Sequence, residues 1–166
     1  MTNVLSFEWK KEDYVTISGM IDESSDFSEL FKKNHEVLFL DLKNIHRINS
    51  SGVRKWVLAL DKLKDVEIHY INCSFSVVDQ LSMVPEFLNK KCFVESFDAR
   101  YVCENCNTSQ TVTLVVGFDI QAGEKNYTDG PERLCPNCKQ KMEFDHNPDS
   151  YLFFLSNLSN KKKTAI

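Results

Sequence analysis

The chain has 166 residues, 42% hydrophobic and 27% charged, a composition of folded globular material that excludes a disordered tail. Its formal net charge of −4 gives no global attraction to nucleic acid or to an anionic membrane. The length suits one ordinary domain plus a small module, and the longest apolar runs, such as Val37-Leu38-Phe39-Leu40, are far too short to span a bilayer.

In chain order, "VLSFEW" (4–9) and "YVTIS" (14–18) are short β-like runs separated by "KKED", the pattern of a hairpin. In "GMIDESSDFSELFKK", Asp26 and Glu29 have capping-box spacing, and Phe27, Leu30 and Phe31 fall at helical spacing, which predicts a helix. "EVLFLDL" (36–42) is nearly continuous apolar, as expected of a strand buried on both faces in a parallel sheet. A short linker then leads to "NSSG" (49–52). Beyond it Val53, Trp56, Val57, Leu60 and Leu63 form one stripe of an amphipathic helix. "VEIHYINC" (66–73) predicts a strand. "SFSVVDQLSMVPEFL" (74–88) predicts a helix capped by Ser74 or Ser76 and disturbed at its end by Pro85. "CFVESFDARYV" (92–102) is again strand-like. The alternation ββαβαβαβ implies a mixed, mainly parallel sheet with helices packed on it, and partner sites in such folds collect at the carboxyl ends of strands.

At Cys103 the character changes. Residues 103–147 are rich in turn formers, "NPDSYLFFLSNLSN" (147–160) regains an apolar pattern, and "KKKTAI" reads as a solvated tail. The expected division is 1–100 for the sheet-and-helix body, 101–146 for a small cysteine module, and 147–166 for a closing element and tail. Within that last part Tyr151, Leu152, Leu155 and Leu158 fit one helical face with Asp149 or Ser150 as cap, and a strand of the small module is the alternative.

The N-terminal "MTNVLSFEWKKEDY" lacks a basic start followed by an apolar core, so no signal peptide is expected and a cytoplasmic, reducing location is the default. There, six cysteines argue for metal or free thiols before disulfides. Cys103-Glu-Asn-Cys106 and Cys135-Pro-Asn-Cys138 are two CxxC pairs, each able to turn two sulfurs to one side of a tight knuckle. Two knuckles complete a tetrahedral thiolate shell, the pattern of a zinc ribbon with structural Zn2+. A pair of redox dithiols is the competing reading, although one pair alone would serve redox work. A filled four-thiolate shell leaves no position for a catalytic water, and metal binding can supply ~10–16 kcal/mol of apparent folding energy to a small module. Cys73 and Cys92 lie in apolar contexts as buried thiols, and His146 reads as a surface turn residue.

Asn49-Ser50-Ser51-Gly52 has two readings. As an N-cap it satisfies orphan amides of a helix, worth ~1 kcal/mol. As a modification site it uses the same geometry, because a helix N-terminus tolerates a phosphate, and phosphoserine adds ~−1.5 to −2 charges.

The element order over residues 4–100, "SGMID" after the second strand, "VLFLDL", and "NSSG" before an amphipathic helix together resemble a STAS domain, the fold of anti-sigma factor antagonists. In that family the corner usually reads Asp-Ser-Ser-Gly or Asp-Ser-Thr-Gly, and an anti-sigma factor that is itself a serine kinase phosphorylates the hydroxyl before the glycine. The unphosphorylated form binds that kinase and frees the sigma factor. The resemblance places Ser51 at the phosphorylated position, with Ser50 before it and Gly52 as the glycine. Asp22 falls at a polar position beside the same surface. Asn49 stands where the acid is usual, and Val53-Arg54 replaces the common Leu-Gly. Arg54 and Lys55 make the corner more basic.

No Gly-rich phosphate loop or nucleophile elbow is present, and the histidines at 35, 46, 69 and 146 are scattered, so no enzymatic activity is expected. The expected function is a regulatory module, possessing a STAS-like fold, that docks a protein partner such as an anti-sigma factor or serine kinase through residues 19–26 and 49–56, gated by phosphate on Ser51. The alternative is a ribbon-led nucleic-acid or transcription-complex binder with the STAS part as regulatory arm. The acidic residues interleaved with Lys125, Arg133, Lys139 and Lys141 argue against nucleic acid.

Overall fold

The computed structural model describes residues 4–125 and 127–158. The chain is mixed α/β and divides into two compact units, Met1–Asp98 and Ala99–Ile166. Among the described residues no helix is long and apolar enough to cross a membrane. The lysine tail lies outside the described residues.

The first unit starts with an antiparallel hairpin of β1 (Ser6–Trp9) and β2 (Tyr14–Ile21), in which Ser6 faces Ser18 and Trp9 faces Val15. β3 (Val37–Ile48), β4 (Glu67–Ile71) and β5 (Cys92–Val94) then add in parallel, so the five-stranded sheet runs β1-β2-β3-β4-β5. The connections carry α1 (Ser50–Lys62) and α2 (Phe75–Met83). Because each parallel strand lies beside its predecessor, right-handed crossovers put both helices on one face of the sheet. That topology corrects the expectation for 36–42. Burial alternates along β3, with Leu38, Leu40 and Leu42 buried and Val37, Phe39 and Asp41 half-buried, so only one face is sealed.

Under the helices Val15, Ile17, Leu38, Leu40, Ile68 and Tyr70 are fully buried. Trp56 of α1 sits at their centre, stacked on Phe87 at 5.4 Å and edge-on to Phe27 at 5.1 Å. Its indole N–H donates to the Tyr70 hydroxyl at 3.1 Å, and that hydroxyl donates in turn to the Phe87 carbonyl at 3.0 Å. Cys73 and Cys92 are buried as expected, and burial is the first cause that pushes both thiols up, that of Cys92 to about 11.

Three elements depart from the pattern. The helix expected around Asp26–Phe31 is a single 3₁₀ turn over Ser28–Phe31. The Asp26 carboxylate accepts from the Ser28 amide and hydroxyl, each at 2.9 Å, and Glu29 pairs with Lys32, so no capping box closes. β3 continues to Ile48, which removes the expected linker and sets Asn49 directly after the strand. The run 92–102 is two strands, because the chain passes at Glu95 from β5 to β6 (Ser96–Val102), and the Asn72 amide donates to the Ser96 hydroxyl at 2.9 Å there.

β6 enters a second sheet with β7 (Ser109–Val115), β8 (Arg133–Leu134) and β9 (Lys141–Phe144), in the order β7-β6-β9-β8. β9 runs antiparallel to both neighbours, placing Tyr101 opposite Phe144 and Arg133 opposite Met142. Residues 148–157 form two short helices, α3 (Pro148–Tyr151) and α4 (Phe153–Asn157), rather than one. Tyr151, Leu152, Phe154 and Leu155 are buried. The cap is Asn147, whose side-chain oxygen accepts from the Asp149 amide at 3.0 Å, in place of Asp149 or Ser150. His146 is a packing residue and not a surface turn. Its ring stacks on Tyr151 at 3.8 Å and its Nε2 accepts from the Arg100 amide at 2.9 Å.

Candidate functional site

The four cysteines of the second unit converge. Their sulfurs all lie within 4.8 Å of one another, with Cys103 to Cys138 at 3.4 Å and Cys106 to Cys135 at 3.5 Å. A tetrahedron with metal–sulfur bonds of about 2.3 Å has edges of about 3.8 Å, so the cluster has the dimensions of a four-thiolate metal site.

The two knuckles are built alike. The Cys103 amide donates to the Thr108 carbonyl at 2.8 Å, and the Cys135 amide to the Gln140 carbonyl at 2.8 Å. Asn107 and Lys139, each four residues past its first cysteine, take left-handed φ values of 55° and 63° and donate back to the Cys103 and Cys135 carbonyls. The knuckles are also tied across the cluster, since Asn137 Nδ2 donates to Thr108 Oγ1 at 2.8 Å. Cys103 and Cys135 are fully buried and Cys106 is exposed. The Cys138 thiol is drawn down to about 6, first by the Gln140 amide and then by the Asn105 side chain, while burial pushes Cys103 up to about 11. This donor set can hold one soft or borderline metal ion.

In the first unit the corner is assembled by parallel pairing. β2 and β3 run side by side to Ile21 opposite Ile48, so the loop after β2 lies against the start of α1. The Asn49 amide donates to the Ile21 carbonyl at 3.1 Å, and its side-chain oxygen accepts from the Gly52 amide at 2.8 Å, closing the helix N-cap. Gly52 is required by this approach, because a Cβ there would stand 2.1 Å from the Ile21 carbonyl oxygen.

Ser50 and Ser51 are exposed on the first turn of α1. With Glu23, Arg54 and Lys55 they line a recess of about 270 Å³. Of the residues singled out in the sequence, Asn49 and Gly52 build the corner, and Ser50, Ser51 and Arg54 line its recess. Asp22 is beside it, but its carboxylate accepts from the Ser24 amide at 2.9 Å and hydroxyl at 2.6 Å, bonds that hold it below the usual carboxylate range.

Glu23 is the residue the sequence did not single out. The Asn49 amide group donates to it at 2.9 Å, the first cause of its lowered pKa, so a carboxylate stands at the corner although position 49 itself is neutral. Lys55 reaches across to donate to the Ser25 carbonyl at 3.0 Å. The parallel register was the one signal that could have placed Glu23 beside Asn49. Compared with family models, with curated proteins and with solved structures, the chain matches none.

Proposed function

We propose that the chain is a non-catalytic regulatory docking module of the STAS type, similar to anti-sigma factor antagonists, with a structural Zn2+ held by Cys103, Cys106, Cys135 and Cys138. The observation that carries the docking role is the corner, where two exposed hydroxyls on the first turn of a 13-residue helix share a recess with Glu23, Arg54 and Lys55. A phosphate on Ser51 would gain from the helix N-terminus and from Arg54 one turn on, and would repel Glu23. Modification would thus reverse the local charge of the surface a partner meets. The partner is a protein, an anti-sigma factor or serine kinase by that resemblance. Residues 99–158 carry eight acidic and five basic side chains, which favours protein over nucleic acid as the ligand of the second unit.

The zinc reading draws support from the knuckle symmetry and the all-sulfur donor set. Zinc favours tetrahedral thiolate and, with no redox chemistry of its own, supplies cross-linking to a unit with a small core. The test of the docking role is phosphopeptide mass spectrometry of the protein from its native cells, with binding of wild type, Ser51→Ala and Ser51→Asp to any co-encoded serine kinase. Phosphate at Ser51 and weakened binding of Ser51→Asp are expected. Equal binding of all three, with no phosphate at the corner, refutes it.

A further inference from the structure

The half-buried face of the first sheet carries a row of stacked rings. Tyr14, Phe39, His69 and Phe93 lie on β2, β3, β4 and β5 at neighbouring register positions. Tyr14 stacks on Phe39 at 6.5 Å, Phe39 on His69 at 4.8 Å, and His69 on Phe93 at 5.2 Å, all within 27° of parallel. His69 is the member whose ring nitrogens can gain and lose a proton. Its Nδ1 lies 2.7 Å from Glu95 Oε1 and its Nε2 2.9 Å from Glu67 Oε1. An ionised carboxylate only accepts, so both contacts are hydrogen bonds only when both ring nitrogens carry protons. A neutral imidazole has one N–H and would turn a lone pair on one carboxylate.

We propose that His69 is a built-in pH sensor, an imidazolium clamped edge-on by Glu67 and Glu95 and face-on by Phe39 and Phe93, whose deprotonation loosens the sheet edge at β5. The ring is well placed for this. Its side chain is 16% exposed while Glu67 and Glu95 are 49% and 35% exposed, so the ring is shielded from water more than either carboxylate. The rings above and below add cation–π attraction for the charged form. The flanking charged groups on the packed strands are Asp41 of β3, to which the Tyr14 hydroxyl donates at 3.0 Å, Glu67 of its own strand, and Glu95 after β5. Lys91, ahead of β5, turns its ammonium to the Asp65 carbonyl.

The element being switched is small. β5 has three residues and ends the sheet order. Glu95 ties off its end twice, through its amide to the Tyr70 carbonyl at 2.8 Å and through its carboxylate to His69. The His69 pKa is raised, first by the bond to Glu95 and with burial opposing. Since the folded value lies above the unfolded one, the stabilisation is complete below about pH 6.5 and is lost as pH rises through the folded value.

The test is an NMR titration of the His69 ring nitrogens in the full-length protein, beside Glu95→Gln and His69→Gln, with amide exchange at Glu95 and at 92–94 corrected for intrinsic rate. Expected in the wild type are two protonated ring nitrogens on the acid side of a midpoint that lies above about 6.5. Glu95→Gln should lower proton affinity about tenfold, and exchange protection at 92–95 should fall about tenfold through the titration but stay level in His69→Gln. A wild-type midpoint at or below 6.5, a Glu95→Gln midpoint equal to wild type, or protection that is flat through the titration overturns the proposal.

Discussion

Replacing Gly52 by alanine puts a single methyl group at the corner where α1 meets the end of β2. In an exposed helix interior the same change is favourable by roughly 0.5–1 kcal/mol, because glycine surrenders more backbone entropy on folding. Here the added carbon would stand 2.1 Å from the Ile21 carbonyl oxygen, 2.4 Å from its carbon and 2.7 Å from the Asp22 nitrogen, all backbone atoms that cannot rotate aside. Relief requires the helix to withdraw by about 1 Å. That strains the bond from the Asn49 amide to the Ile21 carbonyl, now 3.1 Å. Overpacking costs about 1–3 kcal/mol and a weakened buried backbone bond about 1 kcal/mol more, against the smaller gain in helix propensity. The net expectation is a loss of about 2–3 kcal/mol. Urea unfolding followed by fluorescence of the buried Trp56 should show the midpoint falling by about 1 M with an unchanged slope. A midpoint that rises, as it would for an ordinary helical glycine, refutes the assignment of Gly52 to close approach.

Tyr70→Phe removes the hydroxyl shared by Trp56 and Phe87 and leaves a buried donor and acceptor without it, so a loss of about 1–3 kcal/mol is expected in the same urea assay. The wild type should carry one zinc per chain by elemental analysis, and Cys106→Ser or a strong chelator should remove it together with the amide protection of β9. Asn49→Ala loses the cap of α1 and should cost about 1 kcal/mol, while Asn49→Asp, which keeps the capping oxygen but faces Glu23 with a second charge, should lose stability as pH rises through the carboxylate range.

The sequence carried the features that repeat. Strands and helices of the first unit stand out because buried positions recur at period 2 in β2 and near 3.6 in α1, where Trp56 and Leu60 are both sealed. The cysteine cluster was legible because each pair carries its own short-range geometry. What escaped depends on partners distant in sequence. The polar "KNIHRI" gives no strand signal of its own, yet it extends β3 because β2 runs alongside it, with Gly19 opposite Ile45 and Met20 opposite Arg47. The helix expected near Asp26 failed for a local reason, as that carboxylate bonds to Ser28 instead of closing a capping box, and Lys32-Lys33-Asn34 offer no further apolar step. Glu23 at the corner and the ring row around His69 are products of register, which no single strand encodes.

Every strand of the first sheet lies beside the one just before it in the chain. Such a sheet can accrete from its hairpin outward as the polypeptide leaves the ribosome, each new strand finding its template already laid down. The other sheet has no such convenience, because β9 must return to β6 across the whole excursion between the two cysteine pairs. During synthesis every residue of the serine corner therefore leaves the ribosome well before Cys138 emerges to complete its cluster.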